Sequence, residues 1–185
     1  MKYYIKNMVC LRCVKAVESI LGNLDAGIAD IRLGEVLLTQ PLSPGDTERF
    51  RAQLSQAGFE LLDDNRSQLI VKIKSIIVDH IHYLEDEKFS FPKVLSRELN
   101  KEYSQLSKLF SETEGITIEH YVIQQKIEKV KELLAYNQMN LNEISYKLGY
   151  SSVAHLSAQF KKVTGLTPSQ FKTQGIHLRK ALDHI

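Results

Sequence analysis

Between Leu148 and Phe171 the residue order leaves the backbone few options. Leu148-Gly149-Tyr150-Ser151-Ser152 sets a glycine that can take positive φ ahead of two serines able to cap a following helix. Phe160-Lys161-Lys162 then leads to a stop at Gly165, followed by Leu166-Thr167-Pro168-Ser169-Gln170-Phe171. The segment therefore reads as helix, tight turn, exposed helix and stop, the helix-turn-helix pattern. In that motif the second helix enters the major groove of DNA, which turns the residues from Ser152 to Lys162 toward nucleic acid.

The distribution of charge agrees. The chain of 185 residues has a net charge of +2. Residues 1–66 hold 8 Lys/Arg and 9 Asp/Glu, and residues 67–139 hold 10 and 11, so each part is −1. Residues 140–185 hold 6 and 2, or +4, which places the positive charge around the motif, where phosphates would lie.

Hydrophobic residues make up 43% and charged residues 25%, an ordinary balance for a globular chain, with no run apolar enough to cross a bilayer. The start, Met1-Lys2-Tyr3-Tyr4-Ile5-Lys6-Asn7, lacks an apolar core and a cleavage site, which points to a cytoplasmic protein. Both cysteines of the chain, Cys10 and Cys13, fall in one Cys-x-x-Cys, a pattern that in the cytosol signals metal or redox chemistry more than a structural disulfide.

Residues 2–7 predict a strand, and Cys13 to Leu21 a helix with Val14, Val17, Ile20 and Leu21 on one face. Strands follow over 28–33 and 35–39 around a turn at Gly34. A helix from Thr47 to Ala57 and a last strand at 59–62 complete the series. This β-α-β-β-α-β order predicts a ferredoxin-like domain over residues 1–66. From Ser67 the periodicity turns helical, starting with Ile70, Ile73, Ile77, Ile81 and Leu84, and no strand candidate returns. Helices are expected near 92–99, 103–113, 118–136, 141–148, 152–164 and 168–173. The fold class is therefore α+β, with an all-α domain over 67–185. The junction 63–66 has neither Pro nor Gly, which argues against a loose tether. Apolar faces at 70–84 and in the tail 176–185 suit either core or dimer contact.

A second copy of the opening motif lies upstream, at Val94-Leu95-Ser96-Arg97-Glu98-Leu99-Asn100, then Gln105-Leu106-Ser107-Lys108-Leu109-Phe110, then Gly115-Ile116-Thr117 and Tyr121. The interval from Phe to Gly repeats at Phe110/Gly115 and Phe160/Gly165. With the long helix 118–136 between them, residues from about 70 to 173 resemble the DNA-binding domain of the AraC/XylS transcription regulators. The resemblance implies two recognition helices in successive major-groove segments of double-stranded DNA, with RNA polymerase as a further partner and a homodimer left open. Base-facing positions carry over onto Ser104, Ser107 and Lys108 in the first unit. In the second they fall on Ser152, Val153, Ala154, His155 and Ala158, with Lys161 and Lys162 near phosphates. Val153 and Ala158 offer only apolar contact, for instance to a thymine methyl. One departure is acidic: Ser111-Glu112-Thr113-Glu114 stands where relatives are often basic, so the first unit is expected to hold DNA less tightly.

Met8-Val9-Cys10-Leu11-Arg12-Cys13 sits between the first strand and first helix and resembles the Met-x-Cys-x-x-Cys loop of heavy-metal-associated domains, with Asn7 replacing the usual Gly before the Met. Residues 1–66 fit that fold throughout. Two thiolates suit a soft ion at low coordination, Cu(I) foremost, with Zn(II) or another thiophilic ion as alternatives; zinc normally takes four ligands. Helix polarity and Arg12 are expected to lower the thiol pKa values, and Met8 is expected in the core. The joint reading is a metal-responsive transcription regulator. A thiol redox regulator using the same pair, and a metal carrier with a protein-binding helical domain, are the alternatives. No nucleophile–base pair, phosphate loop or acid pair marks an enzyme.

Overall fold

The computed structural model describes residues 1–84, 90–137, 139–174 and 182. It forms two compact units, Met1–Asp79 and His80–Ile185. The first contains β1 (Lys2–Lys6), α1 (Leu11–Gly22), β2 (Ile28–Arg32), β3 (Glu35–Leu38), α2 (Pro44–Gln56), β4 (Glu60–Leu62) and most of α3 (Asn65–His82). The second contains α4 (Phe91–Leu99), α5 (Tyr103–Glu114), α6 (Ile118–Tyr136), α7 (Leu141–Lys147), α8 (Val153–Thr164) and α9 (Pro168–Gln174).

In the first unit the sheet order is β2-β3-β1-β4, and every neighbouring pair is antiparallel. It follows that β1 and β2 run parallel with β3 between them, and β3 and β4 run parallel with β1 between them. Each βαβ crossover is thus split by a strand of the other. Ile5, Val36, Leu38 and Leu61 meet Val17 and Leu21 of α1 and Phe50 and Leu54 of α2 in one core, which also holds Met8. Each such side chain taken fully out of water contributes about 1.5–3 kcal/mol.

Local chemistry sets the ends of these elements. β1 stops at Asn7, whose φ of 71° lies in the left-handed region that asparagine tolerates better than most residues. Helix α2 begins at Pro44, three residues before the expected Thr47, because the Ser43 hydroxyl accepts from the Asp46 amide at 3.1 Å and Pro44 suits the first helical turn. Helix α1 likewise begins at Leu11 instead of Cys13, with Cys10 at the N-cap.

The units divide at 79/80, not at the expected 66/67. Asp64 caps α3 by accepting from the Ser67 amide at 2.8 Å, and the Ser67 hydroxyl, with that amide second, holds its carboxyl below the usual carboxylate range. The helix then packs on the sheet unit. Tyr4 alternates with Ile5 and so faces away from the α1/α2 core, and the Lys72 ammonium lies 4.4 Å from the Tyr4 ring centroid. Gly34, at φ 77°, turns β2 into β3 so close to α3 that a Cβ there would clash with Ser75 Oγ and meet Val71 Cγ1 at 2.7 Å. An apolar helical stripe that begins before a boundary cannot reveal in sequence which body will cover it.

The helical unit is an internal repeat. Helices α4, α5 and α6 start at 91, 103 and 118, and α7, α8 and α9 start at 141, 153 and 168, an offset of 50 in every case. Phe110 packs on Tyr121 with ring centroids 5.7 Å apart, and Phe160 on Phe171 at 5.5 Å, at positions related by the same offset. Thr117 caps α6 through the His120 amide, as Thr167 accepts from the Gln170 amide. The tail 176–185, expected to be core or dimer contact, lies outside the described residues apart from Leu182.

Gly34→Ala is expected to lower stability by about 1–3 kcal/mol, since it combines positive φ with overpacking against α3. Gly22→Ala, in a helix with nothing within 4 Å of the added Cβ, is expected to be neutral or to stabilise by up to about 1 kcal/mol. Urea unfolding of the two variants separates close approach from helix propensity.

Candidate nucleic-acid interface and cysteine loop

Helix α8 exposes Ala154, His155, Ala158, Lys161 and Lys162 and buries Leu156 and Phe160, with Ala158 only partly covered by its neighbours. Its entry is built for order. The Ser152 hydroxyl caps the helix by accepting from the His155 amide at 3.1 Å, and Gly149 makes the preceding turn at φ 68°. Ser151 Oγ lies 3.0 Å from His155 Nδ1, and the Tyr150 and His155 rings meet edge to face at 5.4 Å. His155 is therefore held by two neighbours. Val153 is only half exposed, so its contact with DNA would be partial.

The turn before α8 hangs on the long helix. Lys126 of α6 donates to the Leu148 carbonyl at 2.7 Å, satisfying the end of α7, and its ammonium lies 5.5 Å from the Tyr150 ring centroid. Burial lowers the Lys126 pKa and raises that of Tyr150. The Tyr150 hydroxyl in turn donates to Gln159 Oε1 at 2.7 Å, tying the turn to the middle of α8. None of these three roles was visible in sequence, because each depends on residues brought together by the turn and the long helix.

In the first copy, Ser104 and Lys108 stand on α5 with Ser107 half exposed between them. Gln105 is exposed as well and was not among the expected base-facing residues; its signal is the repeat, since it stands 50 residues before His155. Burial along 101–110 follows the same order as along 151–160. The chemistry differs. Glu102 occupies the N-cap of α5 without a side-chain cap bond, and Ser111 and Glu112 stand where α8 has Lys161 and Lys162. Tyr103 donates to Glu119 at 2.5 Å, which holds the Glu119 carboxyl below its ordinary range, while burial and that carboxylate raise the Tyr103 pKa.

His82 and His80 make structural contacts. His82 Nε2 lies 3.1 Å from Gln125 Oε1, Gln125 donates to the Tyr121 hydroxyl at 3.1 Å, and His80 meets Phe91 at a centroid distance of 6.5 Å. The axis of α6, 19 residues long, spans about 28 Å at 1.5 Å per residue. It carries a buried Glu128–Lys131 ion pair at 2.9 Å.

In the first unit, Cys10 and Cys13 are free, half buried, and 3.1 Å apart between sulfurs at the start of α1. The expected lowering of the Cys13 thiol pKa does not hold. Burial and the hydrogen bond with Cys10 push it up, and the Val9 and Cys10 backbone groups offset this only in part. Met8 is 3% exposed and faces the core. Asn7 Nδ2 donates to the Gly58 carbonyl at 3.0 Å, so asparagine serves at this left-handed position and adds a tether to the loop before β4. Among the described residues no group of three or more His, Cys, Asp or Glu side chains could hold a metal ion, and no helix is long and apolar enough to cross a membrane.

Tyr150→Phe is expected to cost about 0.5–1.5 kcal/mol through removal of the bond to Gln159 while keeping the ring beside Lys126. Lys126→Met, which leaves the Leu148 carbonyl without this donor, is expected to cost about 1–3 kcal/mol in the same urea titration.

Residues 95–174 match the model of a helix-turn-helix domain family. An HTH-type transcriptional regulator from Staphylococcus aureus is 33% identical over 92 residues, covering 50% of this chain and 12% of the relative. The xylose operon regulatory protein of Escherichia coli K12 is 36% identical over 69 residues, covering 37% of this chain and 18% of the relative. The chain therefore spans under a fifth of the length of these relatives. The C-terminal domain of AraT, a response regulator from Geobacillus stearothermophilus, shares the fold with a TM-score of 0.53 and 24% identity, over 64% of this chain and 95% of that one. Residues 95–174 thus match a helix-turn-helix domain family and carry the tandem helix-turn-helix geometry.

Proposed function

We propose that the chain is a sequence-specific transcription regulator that acts on double-stranded DNA in the cytoplasm, and whose occupancy of DNA answers to a soft metal ion bound by Cys10 and Cys13. The observation that carries the metal half is the pair of free sulfurs 3.1 Å apart at the first turn of α1, in a chain that also matches a helix-turn-helix domain family. The strand order β2-β3-β1-β4 supports a ferredoxin-like, heavy-metal-associated reading of the first unit.

The donor set favours a soft ion of low coordination. Two thiols and no further cluster among the described residues fit a two-coordinate soft ion such as Cu(I), whereas a structural zinc would need two more ligands from elsewhere. Arg12 stands beside the pair in the first turn of α1, where the helix dipole and the guanidinium favour the negative charge of a bis-thiolate complex. Helix α3 gives Val71 and Ser75 to the first unit and His82, bonded to Gln125, to the second, so it is the covalent path along which the loop and the reader are joined. RNA polymerase is the protein partner compatible with this reading, and a second copy of the chain is left open by it.

A second reading rests on the same observation. Sulfurs already 3.1 Å apart need to approach to about 2.05 Å to form a disulfide, so an external two-electron oxidant could switch the protein instead of a metal. A carrier whose helical unit binds protein is disfavoured by the match of residues 95–174 to a helix-turn-helix domain family.

Metal titration of the reduced full-length chain is expected to give one Cu(I) per chain, with none bound by the Cys10→Ser/Cys13→Ser variant. Operator binding is expected to change with metal in the wild type and to be indifferent to it in the variant. Equal metal response in the two proteins would sink the metal reading, and a response to oxidant alone would establish the redox one.

A further inference from the structure

The 50-residue repeat allows the two recognition helices to be compared position by position, because their folds and burial match while their exposed side chains do not. Ser104, Gln105 and Lys108 on α5 stand where α8 has Ala154, His155 and Ala158. Ser111 and Glu112 stand where α8 has Lys161 and Lys162. On the first helix, then, the stripe near the N-terminus is made of hydrogen-bonding groups and the following turn lacks positive charge. On the second, the stripe is mostly methyl groups and the following turn carries two lysines.

These two surfaces do different things to a duplex. A glutamine can bond an adenine through N6 and N7 together, and a lysine can donate to guanine O6 and N7, whereas an alanine reads only the thymine methyl. Lysines on phosphates add affinity that is nearly independent of sequence and steeply dependent on salt. The cap and turn of α8 reinforce this, since Ser152, Ser151, Tyr150 and Gln159 fix that helix at its entry and middle, while the N-cap of α5 has no side-chain bond.

We infer that the two units divide the work: α5 selects the sequence through Gln105 and Lys108, and α8 grips the backbone through Lys161 and Lys162 while reading thymine methyls through Ala154 and Ala158. The operator is accordingly asymmetric. One half-site is purine-specified by hydrogen bonds, and the other is thymine-containing and more permissive, with His155 as a hydrogen-bonding reader. Gln105 is the specificity-determining residue of the first half. This inference rests on the reading of the chain as a sequence-specific DNA binder and adds which half carries which part of the recognition.

The test is selection of the full-length chain against a randomised duplex pool, followed by anisotropy titrations over a range of salt on the winning sequence. The wild type is expected to yield one sharply defined and one looser half-site. Gln105→Ala is expected to reduce preference about tenfold at one base pair of the sharper half, with the salt dependence unchanged. Lys161→Ala/Lys162→Ala is expected to keep the selected sequence while its slope of log affinity against log salt falls in magnitude by about 1.8, or about 0.9 for each phosphate no longer neutralised. Glu112→Lys, which places on α5 the charge that α8 has at Lys162, is expected to strengthen binding to all sequences and to steepen the slope by about 0.9. If the chain selects no sequence, the DNA-binding reading itself fails. If it selects one but Gln105→Ala leaves both half-sites intact, or the lysine pair alters base preference, the division of labour is wrong and the DNA reading stands.

Discussion

In both halves of the helical unit, one phenylalanine on the inner face of the recognition helix packs against an aromatic ring eleven residues further along the chain. Phe110 meets Tyr121 and Phe160 meets Phe171, and both phenylalanines are fully buried. Everything the outer faces do depends on that packing. A short helix of 12 residues is marginal by itself in water, so its orientation comes from the packed side, and the exposed stripe of α5 or α8 inherits its aim from the ring beneath it. The two glycine stops and threonine caps repeat around the same rings because the chain must turn sharply to bring the second aromatic back.

Polar interactions refine what the rings position. Lys126 and Tyr150 connect α6, the turn and α8, and a lysine drawn this far out of water is tolerable only because a carbonyl and an aromatic face receive it. The first half has no described counterpart on this scale, and its entry residue Glu102 makes no cap bond. The halves share a scaffold and differ in how tightly the scaffold is pinned.

The cysteine loop has its own logic. Asn7 in the left-handed region turns the chain out of β1, Met8 anchors the loop in the core, and Cys10 and Cys13 bracket the first turn of α1. The helix terminus favours thiolate, yet burial outweighs it at Cys13 and favours the protonated thiol. Desolvation depends on the surroundings of the sulfur and not on its place in the sequence, so the position of Cys13 in the first helical turn does not fix its acidity.

Several features were legible from the residue order. The alternation and turn signals of 2–62, the Gly stops at 115 and 165, the cap at Ser152, and the second copy of the motif all follow from local backbone preference and period, which the sequence carries directly. Tertiary structure decided what involves distant partners. Only packing shows that the first part of α3 belongs with the sheet unit, since Gly34 and Tyr4 meet it from far away in the chain. Only the fold reveals the strut from Lys126 to Leu148 and Tyr150 and the rise in the Cys13 pKa. The physical reason is common to all of them: a side chain's environment is set by what folds against it, and that information is shared among segments no local pattern joins.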